Sequence, residues 1–205
     1  MYNNVIENLL GRSAAKYYDS TASLSVDEIK ELVRIGTSAP TSFHLQNWRF
    51  IAVHSMEAKA KLSPIAWNQP PIKEAAVTFI IVGQLADAST IPLRLAPVVE
   101  SGVMTAEMVP DWEKHARGLY DDQPRRQRDE AIRSATFGAA AIMYAARSLG
   151  WASTPMIGFD AETLKVEFGL SNTEVPALLL SVGPERPGNW PQKPRLPVSD
   201  VLVFV

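Results

Sequence analysis

The sequence predicts a single α+β domain in which a sheet packs against helices, and three observations carry that reading. Ala76 to Gly83, AVTFIIVG, is β-branched and apolar on both faces, the pattern of a central strand buried from both sides. Arg128 to Leu149 is the clearest helix of the chain. Its middle, ATFGAAAIMYAARSLG, is apolar nearly all round and reads as buried. The element order runs helices first, then strands alternating with helices, with no repeat and no linker to divide residues 1–205.

The remaining elements follow in chain order. Asn4 to Leu10 reads as a short amphipathic helix, with Val5, Ile6, Leu9 and Leu10 on one side and Gly11 as its stop. Ser25 and Glu28 form a capping-box pattern ahead of Ile29, Leu32, Val33 and Ile35 at helical spacing, and Pro40 follows that helix. Trp48 to His54 is a strand. Ser55 caps a short helix to Leu62. Residues 85–127 carry scattered Pro, Met and Trp and then the charged run DDQPRRQRDE. They read as an insertion with helical pieces that partly covers a cleft. Gly150 ends the long helix, and Asp160 caps another that ends near Phe168. Pro176 to Val182 is a strand. The Pro-rich PERPGNWPQKPRLP then forms an extended arm, and Asp200 to Val205, DVLVFV, ends the chain as a strand. Such an arm is long enough to leave its own subunit and add its strand to a partner's sheet.

Composition narrows the function classes. A chain of 205 residues, 46% hydrophobic, builds one sizeable core and does not promise two. A net charge of −2 argues against a broad nucleic-acid surface. Cysteine is absent, which removes disulfides, thiolate metal sites and Cys nucleophiles and fits a cytoplasmic protein. The N-terminus interleaves amide and acid residues with its apolar ones, unlike a signal peptide, and no apolar run approaches a membrane span. No G-x-S-x-G elbow supports a hydrolase. His54 and His115 lack a second ligand at metal spacing. Trp67, Trp112, Trp151 and Trp190 read first as packing residues and second as pocket walls.

Three polar or basic clusters stand far apart in sequence. Arg12-Ser13, with Lys16 close by, is the first. Ser38 to Trp48, SAPTSFHLQNW, is the second, dense in short hydrogen-bonding side chains suited to the edge of a planar heteroaromatic ligand. Lys193-Pro194-Arg195 is the third. Side chains two apart on an extended strand point the same way, so Lys193 and Arg195 can converge on one phosphate.

Together these segments resemble the nitroreductase-like FMN-dependent oxidoreductases over essentially the whole chain. GRSAAKYYD (11–19) looks like the family's N-terminal phosphate motif, and APTSFHLQNW like its A-P-S-S-x-N-x-Q-P-W. ARSLGWASTPMIGFD looks like its A-x-x-L-G-x-x-x-x-P-x-x-G-F loop, and KPRLPVSDVLVF like its K-x-R-x-P ending. The resemblance implies a central, mostly antiparallel sheet flanked by helices, with the C-terminal strand exchanged in a homodimer. It implies FMN as cofactor and NADH or NADPH as reductant, with a hydride passing via flavin N5 to a nitroaromatic, quinone or similar acceptor. Reduction of an aldehyde or enone, and a non-catalytic role in flavin binding or storage, are the alternatives.

Residue by residue, the resemblance places Arg12, Ser13, Lys193 and Arg195 on the flavin phosphate and ribityl chain. Thr41 and Ser42 match loop positions near the flavin. His44 and Gln46 match positions that often reach it across a dimer interface, and Asn68 matches a ring-edge contact. Pro155, Met156, Ile157 and Gly158 match the loop packed on one ring face, with the amide of Ile157 or Gly158 aimed at N5. No catalytic side chain, metal, nucleic acid or membrane is implied. The chain also departs from the pattern. Gly11 and Ala15 stand where basic residues are common, His44 replaces Asn, Asn47 replaces Pro, and Ile157 stands where Glu is frequent.

Overall fold

The computed structural model describes residues 4–205. Among these residues, eight α-helices surround one sheet. They are α1 (Asn4–Gly11), α2 (Val26–Gly36), α3 (Met56–Ile65), α4 (Pro70–Glu74), α5 (Ile91–Glu100), α6 (Val109–Tyr120), α7 (Pro124–Ser148) and α8 (Ala161–Glu167). The strands are β1 (Trp48–Val53), β2 (Val77–Gln84), β3 (Ala152–Met156) and β4 (Glu174–Gly183), in the order β1-β2-β4-β3 with every pair antiparallel.

The strand expected to be central is central. Seven of the eight β2 residues are buried. Phe79 and Ile81 face a cluster with α2 and α7, while Ile80 and Val82 face a second cluster with α3, α4 and α8. Period-two alternation thus feeds two cores, and each such side chain contributes about 1.5–3 kcal/mol of burial.

The long helix begins at Pro124, four residues before the expected start, because Pro needs no amide partner in a first turn. Its sheet-facing side is small: Ala131, Ala135, Gly138, Ala139, Ala145 and Ala146 are buried. Small residues let the helix axis come close. A Cβ on Gly83 of β2 would lie 2.1 Å from the Ala131 carbonyl oxygen, and one on Gly138 would lie 2.9 Å from the Phe50 ring.

Local signals hold where they were legible. Ser25 and Glu28 close a reciprocal capping box on α2. Ser55 accepts from the Ala58 amide at the start of α3. Asp160 accepts from the Glu162 and Thr163 amides at the start of α8. Gly150, at φ +82°, ends α7.

The helical pieces expected in residues 85–127 are α5 and α6, which build a third core with Ile91, Leu95, Ala116 and Tyr120, into which Leu45 and Phe43 insert. Two expectations need correction. Pro155 and Met156 are not loop residues, because they end the edge strand β3. Pro is tolerated there since an edge strand has amides that need no ladder partner. Lastly, Asp200 to Val205 does not form a strand. After a 3-10 turn at Val198–Asp200 the chain runs irregularly with Val203 and Phe204 exposed. A strand needs a ladder partner for its backbone groups, and among the described residues no strand pairs with this segment.

Candidate functional site

The two ends of the chain meet at the open side of β3. Ala14 bridges in parallel to Ser153 of β3, and Tyr18 bridges to Glu185 just past β4. Tyr18 is buried, and burial pushes its phenol well above the ordinary range, so it stays a neutral donor. The Thr154 hydroxyl donates to the Ala15 carbonyl and pairs with the Tyr18 hydroxyl at 2.8 Å. Asn189 then ties the C-terminal arm to this segment. Its Oδ1 accepts from the Lys16 and Tyr17 amides at 2.7 and 2.9 Å, and its Nδ2 donates to the Tyr17 carbonyl at 2.9 Å.

That clasp builds a cavity of about 560 Å³ between the N-terminal segment, the α4 entrance, β3 and the arm. Five predicted site residues line it: Arg12, Ser13, Met156, Lys193 and Arg195. Lys16 lines it too, its ammonium 5.2 Å from the Tyr17 ring centre. Four cations therefore converge on a wall that carries no carboxylate and no imidazole. Among the described residues none of the four forms an ion pair. Arg12 Nη1 is buried without a hydrogen-bond partner, and Arg195 Nη2 donates only to Gln192 Oε1. Uncompensated cations around a concave wall make a positive potential that suits an anionic ligand.

The floor is held from below. The Ser181 hydroxyl on β4 donates to the Pro71 carbonyl and pairs with the Thr78 hydroxyl across the β2–β4 ladder. This fixes Gln69-Pro70-Pro71 at the cavity edge. The Gln69 amide donates to the Gly158 carbonyl at 2.7 Å, so the loop after β3 is anchored to the same wall. The Gly158 amide itself makes no hydrogen bond to another described residue. Pro155, Ile157 and Gly158 lie next to the lining rather than in it, with Ile157 82% exposed. Asn68 also flanks the lining, and its Oδ1 accepts from the Ser63 hydroxyl.

Thr41, Ser42, His44 and Gln46 are not brought to this cavity within the chain. They sit on the insertion core. Phe43 packs edge-on against Trp112 and Tyr120, both at 6.3 Å, and the Tyr120 hydroxyl donates to Ser42 Oγ at 2.9 Å. The Gln46 side-chain amide lies 2.9 Å from His44 Nε2, so the imidazole accepts there. Asn47 donates to the Gln84 carbonyl and fixes the entry to β1. Backbone strain marks this loop and the one around Asn68. Phe43, His44, Gln46, Trp67 and Asn68 all adopt positive φ, at roughly 1 kcal/mol or more each for residues with a Cβ.

Sequence reasoning missed Gln69 and Asn189, and ranked Trp190 as a packing residue first, whereas it lines the cavity. A signal existed for Asn189: Gly188-Asn189 is a turn pair inside the Pro-rich stretch, and Gly188 sits at φ +106°. Among the described residues no group of three or more His, Asp or Glu side chains is placed to hold a metal, and no helix is long and apolar enough to cross a membrane.

A model of the family described as "Nitroreductase family" matches residues 9–184. The chain belongs to the nitroreductase family. It is 33% identical over 203 residues to a Bacillus subtilis protein named "Putative NAD(P)H nitroreductase YodC", covering 98% of this chain and 99% of the relative. It is 23% identical over 185 residues to the "CLA biosynthesis enone reductase" of Lactiplantibacillus plantarum, covering 88% of this chain and 85% of that one. A crystal structure of an Exiguobacterium sibiricum protein, described as a "putative nitroreductase in complex with FMN", superposes with a TM-score of 0.91 at 25% identity, covering 100% of this nitroreductase-family chain and 99% of that chain.

Proposed function

We propose that this nitroreductase-family protein is an FMN-dependent NAD(P)H oxidoreductase that reduces nitroaromatic or quinone-like acceptors. The observation that carries the reading is the cavity wall with Arg12, Lys16, Lys193 and Arg195 and no acidic residue. Arg12, Ser13, Lys193 and Arg195 would hold the flavin phosphate, for which guanidinium groups offer bidentate geometry. Met156 and the Gln69–Pro71 turn would meet the ring system, and the Gly158 amide, free of other partners, is available as a donor to it. The bound flavin supplies hydride acceptance and donation at N5. The protein's share is position and exclusion of water, which agrees with a cavity that presents neither carboxylate nor imidazole. Trp67, Ile157 and Trp190 are 67%, 82% and 71% exposed beside the cavity and offer apolar surface to a planar acceptor.

The reading includes a homodimer. Strand β1 is a free sheet edge, and the tail from Leu196 to Val205 carries seven exposed large apolar residues. Exchange of the tail between subunits would cover both. The strained loop with Thr41, Ser42, His44 and Gln46 would then complete the partner's flavin site.

The test is direct. The purified protein is denatured and the released chromophore identified, and the native protein is treated with NADH or NADPH under nitrogen. We expect FMN, bleached by reductant and restored by menadione or a nitroaromatic. Failure to load FMN even when it is added would overturn the reading. Loading without turnover of any acceptor would leave a flavin-storage protein in its place.

A further inference from the structure

Gly11 ends α1 at a point where the backbone needs no glycine, since its φ is not positive. The space beside it is nevertheless taken. A Cβ on Gly11 would lie 2.2 Å from Nη2 and 3.0 Å from Cζ of Arg147, so the Arg147 guanidinium occupies the place of a residue-11 side chain. Arg147 reaches there from the last turn of α7. Asn8 sets the register of the two helices by donating to the Tyr144 carbonyl at 3.2 Å and to the Ser148 hydroxyl. The favourable dipole at a helix C-terminus accounts for a basic residue in that turn, but not for its position over Cα of Gly11.

Arg147, Arg12 and Ser13 line a second cavity of about 380 Å³, and Arg12 and Ser13 are shared with the flavin cavity. Glu7 and Glu185 border the same space, yet among the described residues Arg147 pairs with neither, and Glu185 Oε2 accepts from Asn189 instead. Two guanidinium groups therefore line one cavity with Ser13, neither forms an ion pair among the described residues, and Arg12 has a buried unpartnered nitrogen. An anion joining them would offset the repulsion of like charges in one cavity.

We propose that Arg147 is a phosphate-binding residue of the flavin site, supplying from α7 the cation that the chain lacks at position 11. The proposal rests on the flavin reading above. It explains the glycine: a long side chain at 11 would compete with Arg147 for the same volume. It also restores a charge that the motif comparison counts as lost, since the cation arrives from a helix about 136 positions away in sequence, as far as Asn8 is from Tyr144.

The experiment titrates three apoproteins, wild type, Arg147→Ala and Gly11→Arg/Arg147→Ala, with FMN and with riboflavin, following flavin fluorescence. Arg147 is exposed, so its removal leaves the core intact. We expect Arg147→Ala to weaken FMN binding about tenfold or more, the scale of a lost charge-assisted contact, and to leave riboflavin binding unchanged. The double variant should recover most of the FMN preference. Equal losses for FMN and riboflavin, or no loss for either, would overturn the role of Arg147 alone. Wild-type protein that binds neither flavin would overturn the flavin reading and this proposal with it.

Discussion

The side chain of Asn189 pairs with the backbone of Tyr17 through both of its polar atoms. Oδ1 accepts the Tyr17 N–H at 2.9 Å, and Nδ2 returns a hydrogen bond to the Tyr17 carbonyl at 2.9 Å. One amide side chain thus imitates a strand neighbour and holds the Pro-rich arm where Lys193 and Arg195 line one cavity with Arg12. Arg186 reinforces the join, its guanidinium carbon 4.8 Å from the centre of the Tyr17 ring.

The clasp predicts that Asn189→Ala weakens FMN binding by about 1–2 kcal/mol, the scale of a few hydrogen bonds lost at a half-buried site. Thermal stability should change little, because the arm adds few contacts to the core. Asn189→Asp keeps the two acceptor contacts but sets a carboxylate oxygen against the Tyr17 and Arg186 carbonyls and the Glu185 carboxylate, so it should bind FMN no better than alanine. Unchanged flavin affinity in the alanine variant would mean that the arm is positioned by something else.

Arg195→Ala should weaken FMN binding by about 1.5–3 kcal/mol, as for one charge-assisted contact, with a much smaller effect on riboflavin. Isothermal titration of the apoprotein reads both. Equal effects on the two flavins would move Arg195 away from the phosphate.

Gly83→Ala tests the helix–sheet approach. The added methyl would lie 2.1 Å from the Ala131 carbonyl oxygen and 2.4 Å from its carbon, both backbone atoms that cannot rotate away. A loss of about 3 kcal/mol in unfolding free energy is expected from overpacking. Urea denaturation measures it, and a loss below ~1 kcal/mol would mean that α7 moves out freely.

Deleting Val198 to Val205 should cost dimer stability and flavin retention together. The removed segment carries Val198, Val201, Leu202, Val203, Phe204 and Val205, all exposed in the single chain. Sedimentation and absorbance at the flavin band report both properties. A truncated protein that remains dimeric and yellow would refute tail exchange.

Acid sensitivity has a local source at α8. The Asp160 carboxylate accepts from the Thr163 hydroxyl and from the Thr163 and Glu162 amides, which hold its pKa below the ordinary 3.8. A depressed folded-state pKa gives stability that is complete above the unfolded value and is lost as pH falls through the folded one. The Tm difference between wild type and Asp160→Asn should therefore narrow as pH drops from about 6 to about 3. A difference that stays constant over that range would remove the charge from the cap's contribution.

Local chemistry was legible in the chain. The capping box at Ser25 and the caps at Ser55 and Asp160 involve residues two or three positions apart, so their geometry is set by helix starts alone. The apolar run at β2 fixed its own central place, because a strand without a polar face has no stable position at a surface. The K-x-R pair and Arg12-Ser13 could be read as one site only through the resemblance of four segments in order. Tertiary structure decided the rest. It set Pro155 and Met156 in an edge strand, turned the insertion into the support of the Phe43 loop, and left the tail without a strand partner among the described residues. It also placed Arg147 in the space that Gly11 leaves open, and Asn189 on Tyr17. These are contacts between residues more than a hundred positions apart. Their energy depends on how helices and arms pack rather than on any periodicity along the chain, so no local pattern encodes them.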